Sequence, residues 1–144
     1  MKLNARQNAL ATQCLWGLQE NAPDVEGIAL ASIGGILLAA TITPIERAQR
    51  LAALAAALFL LGEHAAALWG RGATFEVRVA LGKRGQDTTR VSLKPVGAGA
   101  LVIVVWRMGD EQGQSANLAL HLEKAVPYLE ALLAGETPPD WLSP

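Results

Sequence analysis

Three features of the 144-residue chain call for an antiparallel β-sheet held between helices, an α/β (α+β) sandwich of three layers, α/β/α. Apolar residues recur at helical spacing in three segments, near 4–20, 44–69 and 115–133. Between the second and third of these the period switches to two. The stretch 100–106 is apolar at every position, as a strand covered on both faces must be. The order is helix, strand, strand, long helix, strand, strand, strand, helix, giving a five-stranded sheet with no internal repeat.

The first helix covers 4–20, with Leu3, Leu10, Cys14 and Leu18 on one side and Gln7, Asn8, Gln13 and Gln19 largely elsewhere. Asn21, Ala22, Pro23 and Asp24 end it, because proline disfavours helical geometry at the residue before it. Residues 25–33 and 36–42 form a hairpin around Gly34 and Gly35, which can both supply positive φ for a two-residue turn. The long helix starts with Thr43 as cap, Pro44 at the first position and Glu46 completing a capping box. It runs to Trp69 and stops at Gly70, where a left-handed residue fits. At about 1.5 Å per residue it is nearly 40 Å long.

In the next strand, 75–81, Phe75, Val77, Val79 and Leu81 alternate with Glu76, Arg78 and Ala80. Gly82, Lys83, Arg84 and Gly85 read as a hairpin turn rather than an anion site. Thr89, Val91 and Leu93 then alternate with Arg90, Ser92 and Lys94, and 95–99 turn into the all-apolar strand, which belongs at the centre of the sheet. After a loop at 109–113, the last helix places Leu118, Leu122, Ala125, Leu129 and Leu132 together, with Pro127 kinking it near Glu123. Residues 1–134 read as one domain, and 135–144, with three prolines, as a loose tail with an anchor at Trp141.

Composition removes several functions. With 51% hydrophobic residues the chain can build a core, and 12 Lys+Arg against 13 Asp+Glu leave no basic excess for nucleic acid. Cys14 is the single cysteine, so neither an internal disulfide nor a structural zinc site is available. The first residues lack the apolar run of a secretory signal, which points to the cytoplasm. A mean hydropathy of +0.27 raises the question of a membrane span. The uncharged stretch 27–45 is better explained as a hairpin, and 51–62 stops short of a span at Glu63 and His64. No membrane span is therefore expected.

The long helix has too few polar positions. Leu51, Leu54, Leu58, Leu61 and Leu68 make a seam with heptad-like spacing that can lie on the sheet. Beside it run Ala52, Ala55, Phe59, Gly62, Ala66 and Trp69, and on the far side Ala53, Ala56, Ala57, Leu60 and Ala67 accompany Glu63 and His64. A sheet covers one side of a helix, so the rest needs another cover. Burying about 400 Å² of apolar surface is worth roughly 10 kcal/mol before the costs of association. The expectation is a homodimer in which Ala52, Ala55, Ala56, Phe59, Gly62 and Ala66 meet their copies. Residues Phe75, Glu76, Val77 and Arg78 join that interface if the strand pairs with its copy about Val77, setting Glu76 opposite Arg78 of the other chain.

No catalytic set emerges. His64 and His121 lack metal-ligand spacing, Glu63 and His64 do not share a helix face, and Cys14 sits on an apolar one. Gly34 and Gly35 lack the lysine and hydroxyl of a phosphate loop. Trp16, Trp69 and Trp106 are expected in the core or an interface. The residues describe a non-enzyme without cofactor or metal.

Residues 25–32 leading into Gly34 and Gly35, the alanine- and leucine-rich 50–56, the apolar 99–105 and the closing leucine-spaced helix carry a resemblance. Over about residues 4–133 the chain resembles the Roadblock/LC7 family, including its bacterial MglB-like members. It departs from them at Ile33, which stands where an acidic residue is common. The resemblance implies the first and last helices on one face of the sheet, the long helix on the other, and dimerisation through the long helix and third strand. It also implies a regulator or adaptor of a small Ras-like GTPase, one that can stimulate GTP hydrolysis without supplying an arginine finger. Arg47, Arg50, Glu63 and His64 are the candidates for partner contact. Two alternatives are a scaffold subunit with no GTPase partner and a PAS- or GAF-like ligand sensor. A sensor needs a pocket between sheet and helices, where one continuous helix leaves little room.

Overall fold

The computed structural model describes residues 2–83, 88–107 and 112–136, and builds them around the strand with the all-apolar pattern. That strand, β5 (Ala100–Arg107), is flanked by β1 (Val25–Ser32) and β4 (Thr89–Val96). The outer strands are β2 (Leu37–Ala40) and β3 (Val77–Leu81), giving the antiparallel order β2-β1-β5-β4-β3. Helices α1 (Ala5–Glu20) and α3 (Gln112–Leu133) cover one face, and α2 (Ile45–Leu68) covers the other. The expected three-layer sandwich with five antiparallel strands is the observed one. Trp141, Arg84, Gly85 and the 109–111 part of the expected loop lie outside the described residues.

Strand alternation sorts the core into two unlike halves. Toward α1 and α3 the sheet presents Ile28, Leu30, Val102, Val104 and Trp106, which pack with Cys14, Leu15, Leu18, Leu122 and Leu129. Toward α2 it presents Ala29 and Ala31 from β1 beside Val91, Leu93 and Ile103. Small side chains on the sheet let a helix backbone come close, provided that the helix is also small there. The matching helix residues are Ala48, Ala52 and Ala55, all buried. At the β1–β2 turn, a Cβ added to Gly35 would lie 3.4 Å from the Ala53 Cα, so this turn too rests directly on α2.

This packing corrects the expected rotation of α2. The leucine seam does not lie on the sheet: Leu54, Leu61 and Leu68 are 63%, 66% and 78% exposed. The alanine stripe takes their place, because leucines at those positions would push the helix off Ala29 and Ala31. Leu51 and Leu58, at the margin of the seam, are half-buried.

Other boundaries show where local signals held. Asn4 caps α1, accepting from the Gln7 N–H at 2.8 Å, while the Gln7 side chain accepts from the Asn4 N–H at 2.9 Å, a capping box the residue pattern had not singled out. At α2 the expected box is not formed: Pro44 occupies the cap position and no side chain caps the helix. The far end of α2 behaves as expected, with Gly70 at φ +66° and the Arg71 N–H donating to the Ala66 carbonyl. In the hairpin only Gly35 uses positive φ (+93°), and the turn is longer than two residues, since the Ser32 N–H reaches the Ile36 carbonyl. Strand β3 begins at Val77, two residues later than expected, and α3 runs through Pro127 without interruption.

Buried polar groups near the hairpin are paired. The Ile28 N–H donates to Thr41 Oγ1 at 3.0 Å, and the Ile36 N–H to Ser32 Oγ at 3.0 Å. The Ala52→Leu variant should lose about 1–3 kcal/mol of unfolding free energy in urea titration, since the added volume has nowhere to go between α2 and β1. An unchanged midpoint would mean that α2 does not approach the sheet through this stripe.

Candidate functional site

A helix that faces the sheet with alanines must face outward with its leucines. The outer side of α2 carries Leu54, Leu61 and Leu68 at seven-residue intervals, flanked by Leu60 and ending at Trp69, both exposed. Little of α2 is buried, and among the described residues it is the one helix long and apolar enough to cross a membrane. The helix is therefore longer than the span-length estimate from 51–62 allowed. Its inner stripe is nonetheless committed to the sheet, and Glu46, Arg47, Arg50 and Glu63 interrupt its length.

The two edges of the sheet differ. At β2, the Asn8 side chain of α1 donates to the Leu38 carbonyl at 2.7 Å, occupying a backbone acceptor of that strand. Among the described residues no comparable bond blocks the outer edge of β3. An uncovered edge beside an exposed apolar helix offers both backbone hydrogen bonds and hydrophobic area to an incoming surface. Leu81, 48% exposed, and Phe75, 81% exposed, bracket that edge.

The residues expected at a self-association surface divide sharply. Ala52 and Ala55 have 0% and 1% exposure within one chain: they face the sheet and offer no surface to a copy. Ala56, Phe59, Gly62 and Ala66 are half-buried on the inner side or its flank. Phe59 packs on the core beneath α2, and a Cβ on Gly62 would collide with Thr74. Val77 is half-buried at the start of β3, while Phe75 and Arg78 are exposed. Glu76 is already engaged inside the chain: it pairs with Arg78 and with Lys94 Nζ at 3.4 Å. Trp69, expected in the core or an interface, is exposed, and the outward-facing leucines of the seam were expected on the sheet instead. The signal for them lay in β1, where Ala29 and Ala31 alternate with Ile28 and Leu30 and so mark which face demands a slim helix.

Among the partner-contact candidates, Arg47 and Arg50 are exposed one turn apart and line a groove of about 970 Å³ between the first half of α2 and the ends of β3, β4 and β5. His64 is exposed farther along α2. Glu63 is turned away from them, with Oε1 accepting from the Thr74 N–H at 2.7 Å, and that bond holds its carboxyl below the usual value of 4.5. A second groove of about 640 Å³, between α2 and the 95–98 turn, is lined by Ile33, Phe59 and Leu60. Both grooves flank α2; beneath it, alanine meets alanine.

The chain's remaining reactive groups are quiet. Cys14 is buried and its thiol is pushed up to about 12 by loss of solvent, leaving little thiolate at neutral pH. Trp106 is in the core, its Nε1 donating to Ser92 Oγ at 3.2 Å, whereas Trp16 and Trp69 are exposed. No three His, Cys, Asp or Glu side chains among the described residues gather as metal ligands would.

Comparison with known proteins agrees with this architecture. Residues 12–104 match the model of the Roadblock/LC7 domain. A Roadblock/LC7 domain from Streptomyces avermitilis superposes with a TM-score of 0.66 at 24% identity, covering 82% of this chain and 96% of that one. Myxococcus xanthus MglB gives 0.73 at 16% identity over 97% of this chain and 99% of its own. An MglB in a tetrameric arrangement gives 0.75 at 19% identity over 94% and 96%. At these identities the likeness is one of fold. No curated protein matches.

Glu63 supplies the prediction here. A carboxyl whose pKa is lower folded than unfolded adds stability above its unfolded value and loses it as pH falls through the folded one. Glu63→Gln should therefore be less stable than wild type near about pH 7, and the two urea midpoints should converge as the pH is stepped down into the acid range. A gap that persists in acid would show that the Thr74 bond is not what lowers this carboxyl.

Proposed function

The chain belongs to the Roadblock/LC7 domain family, and from that premise we propose that it is a non-catalytic, self-associating regulator or adaptor of a small Ras-like GTPase. The observation that carries the reading is the outer face of α2, a ridge of leucines left uncovered next to an open sheet edge. A surface of that kind serves macromolecular contact rather than chemistry on a small molecule, and no catalytic constellation accompanies it among the described residues.

In this reading Leu54, Leu61 and Leu68 of one copy pack on those of another, and β3 pairs antiparallel with its copy. The five residues of β3 overlap fully when the pairing centres on Val79 rather than Val77. That register sets Val77 against Leu81 of the other chain and Arg78 against Ala80, which avoids opposing like charges. It replaces the expected Glu76–Arg78 contact between chains, since Glu76 is held within its own. Arg47 and Arg50, a turn or more before Leu54, then remain at the end of the apolar surface, where the GTPase docks, while His64, between Leu61 and Leu68, falls within the ridge itself. The protein supplies shape and charge there and leaves the hydrolytic groups to its partner. A cytoplasmic location goes with such a partner.

Light scattering tests the self-association, with about twice the 15.2 kDa chain mass expected for wild type and the single-chain mass for Leu61→Glu. Wild type that stays at the chain mass in the micromolar range would remove this interface. Binding to a panel of purified, nucleotide-loaded small Ras-like GTPases tests the partner. Arg47→Glu with Arg50→Glu should weaken binding about tenfold or more while the mass of the free protein is unchanged. If no GTPase binds, the regulator reading fails and a scaffold role takes its place.

A further inference from the structure

On the face of the sheet that carries α1 and α3, Val96 is the β4 residue that, among the described residues, joins the buried core with Ala125 and Leu129. Beyond that point the sheet surface is cationic. The β3–β4 register sets Arg78 opposite Ser92 and Ala80 opposite Arg90. The Arg90 guanidinium lies 5.2 Å from the centre of the Trp106 ring, a member of that same core, so Arg90, Ser92, Lys94 and Arg78 share this face. Diagonal neighbours across an antiparallel pair are about 7–8 Å apart, which brings both Arg90 and Lys94 alongside Arg78. Three cations so placed repel one another.

One carboxylate answers them. Glu76 pairs with Arg78 through Oε1 and with Lys94 through Oε2, and its side chain is only 12% exposed. Arg90 has no acidic partner among the described residues, and 59% of the Arg78 side chain remains exposed. The Ser92 hydroxyl accepts from Trp106 and keeps its own proton to donate.

We propose that this strip binds an acidic segment of a partner protein, a short run of Asp and Glu side chains laid across β3 and β4. Glu76 already shows the contact in miniature: a carboxylate reaching over β3 meets two cations at once. The next carboxylate meets Arg90, whose guanidinium already lies over the Trp106 ring and so loses less freedom on binding than a free side chain would. The strip lies on the opposite side of the sheet from α2 and needs neither the GTPase nor a second copy.

Fluorescence anisotropy with a labelled mixed Asp/Glu ten-residue peptide, and an Asn/Gln peptide of the same length, tests this. The acidic peptide alone should bind at about 50 mM salt and be released at about 500 mM, where charges are screened within a few ångströms. Arg78→Gln, an exposed position where the fold is not at stake, should weaken binding about tenfold, the loss of one charge-assisted bond. Glu76→Gln should tighten it about threefold by freeing Arg78 and Lys94. Glu136→Gln, the same change of net charge at an exposed residue beyond α3, should leave it unchanged. Equal effects of Glu76→Gln and Glu136→Gln would reduce the attraction to net charge and overturn the proposal. So would wild-type affinity in Arg78→Gln, or binding of phosphatidylserine vesicles or duplex DNA without binding of the peptide.

Discussion

The close approach of α2 to β1 organises the molecule. Ala29 and Ala31 leave the sheet shallow at that point, and Ala48, Ala52 and Ala55 let the helix settle into the depression. Little area is buried per residue by such a contact, but the backbones come near enough for the Gly35 turn to touch α2 as well. Once the alanines are turned inward, helical geometry places Leu54, Leu61 and Leu68 outward. The exposed ridge is thus a consequence of how the core is filled, and the same residues that fit the chain together leave it with a surface that water solvates poorly.

Topology reinforces this asymmetry. The chain leaves the sheet at β2, crosses it as α2 and re-enters at the opposite edge as β3. Five strands set their outer members roughly 19 Å apart, whereas a helix of 24 residues is about 36 Å long, so the ends of α2 overhang. Trp69, which follows directly on α2, is exposed. Of the two edges, the one near α1 is met by Asn8, and among the described residues the one reached by α2 is open. Apolar helix and unpaired strand end up side by side, the arrangement that edge-to-edge and helix-to-helix association both require. The opposite side of the same edge is cationic, so the two sides of β3 differ in chemistry.

Much of this was legible in the residues. The change of period from 3.6 to two, the unbroken apolar run of β5 and the glycine after α2 placed the elements and the central strand correctly, because each signal is local. The resemblance to the Roadblock/LC7 family added which helices share a face. The rotation of α2 was not legible from the helix alone, since a segment apolar on every side carries no phase. The heptad-like spacing of the leucines pointed the wrong way. What decides is the depth of the sheet beneath, and that resides in β1, distant in sequence. Glu76 was misjudged for a related reason: an alternating pattern extended β3 back to Phe75, whereas the strand starts at Val77 and frees Glu76 to fold over its own neighbours.

The orientation of α2 and the covering of its outer face by a second copy can be examined together by cysteine labelling. With Cys14 replaced by serine, single cysteines placed by Ala55→Cys and Leu61→Cys are timed against a maleimide at nanomolar and at micromolar protein. The account predicts slow labelling for Ala55→Cys at both concentrations, and labelling for Leu61→Cys that is fast in dilute solution and slowed as the protein concentrates. Fast labelling at position 55 in folded protein, or a rate at position 61 indifferent to concentration, would contradict it.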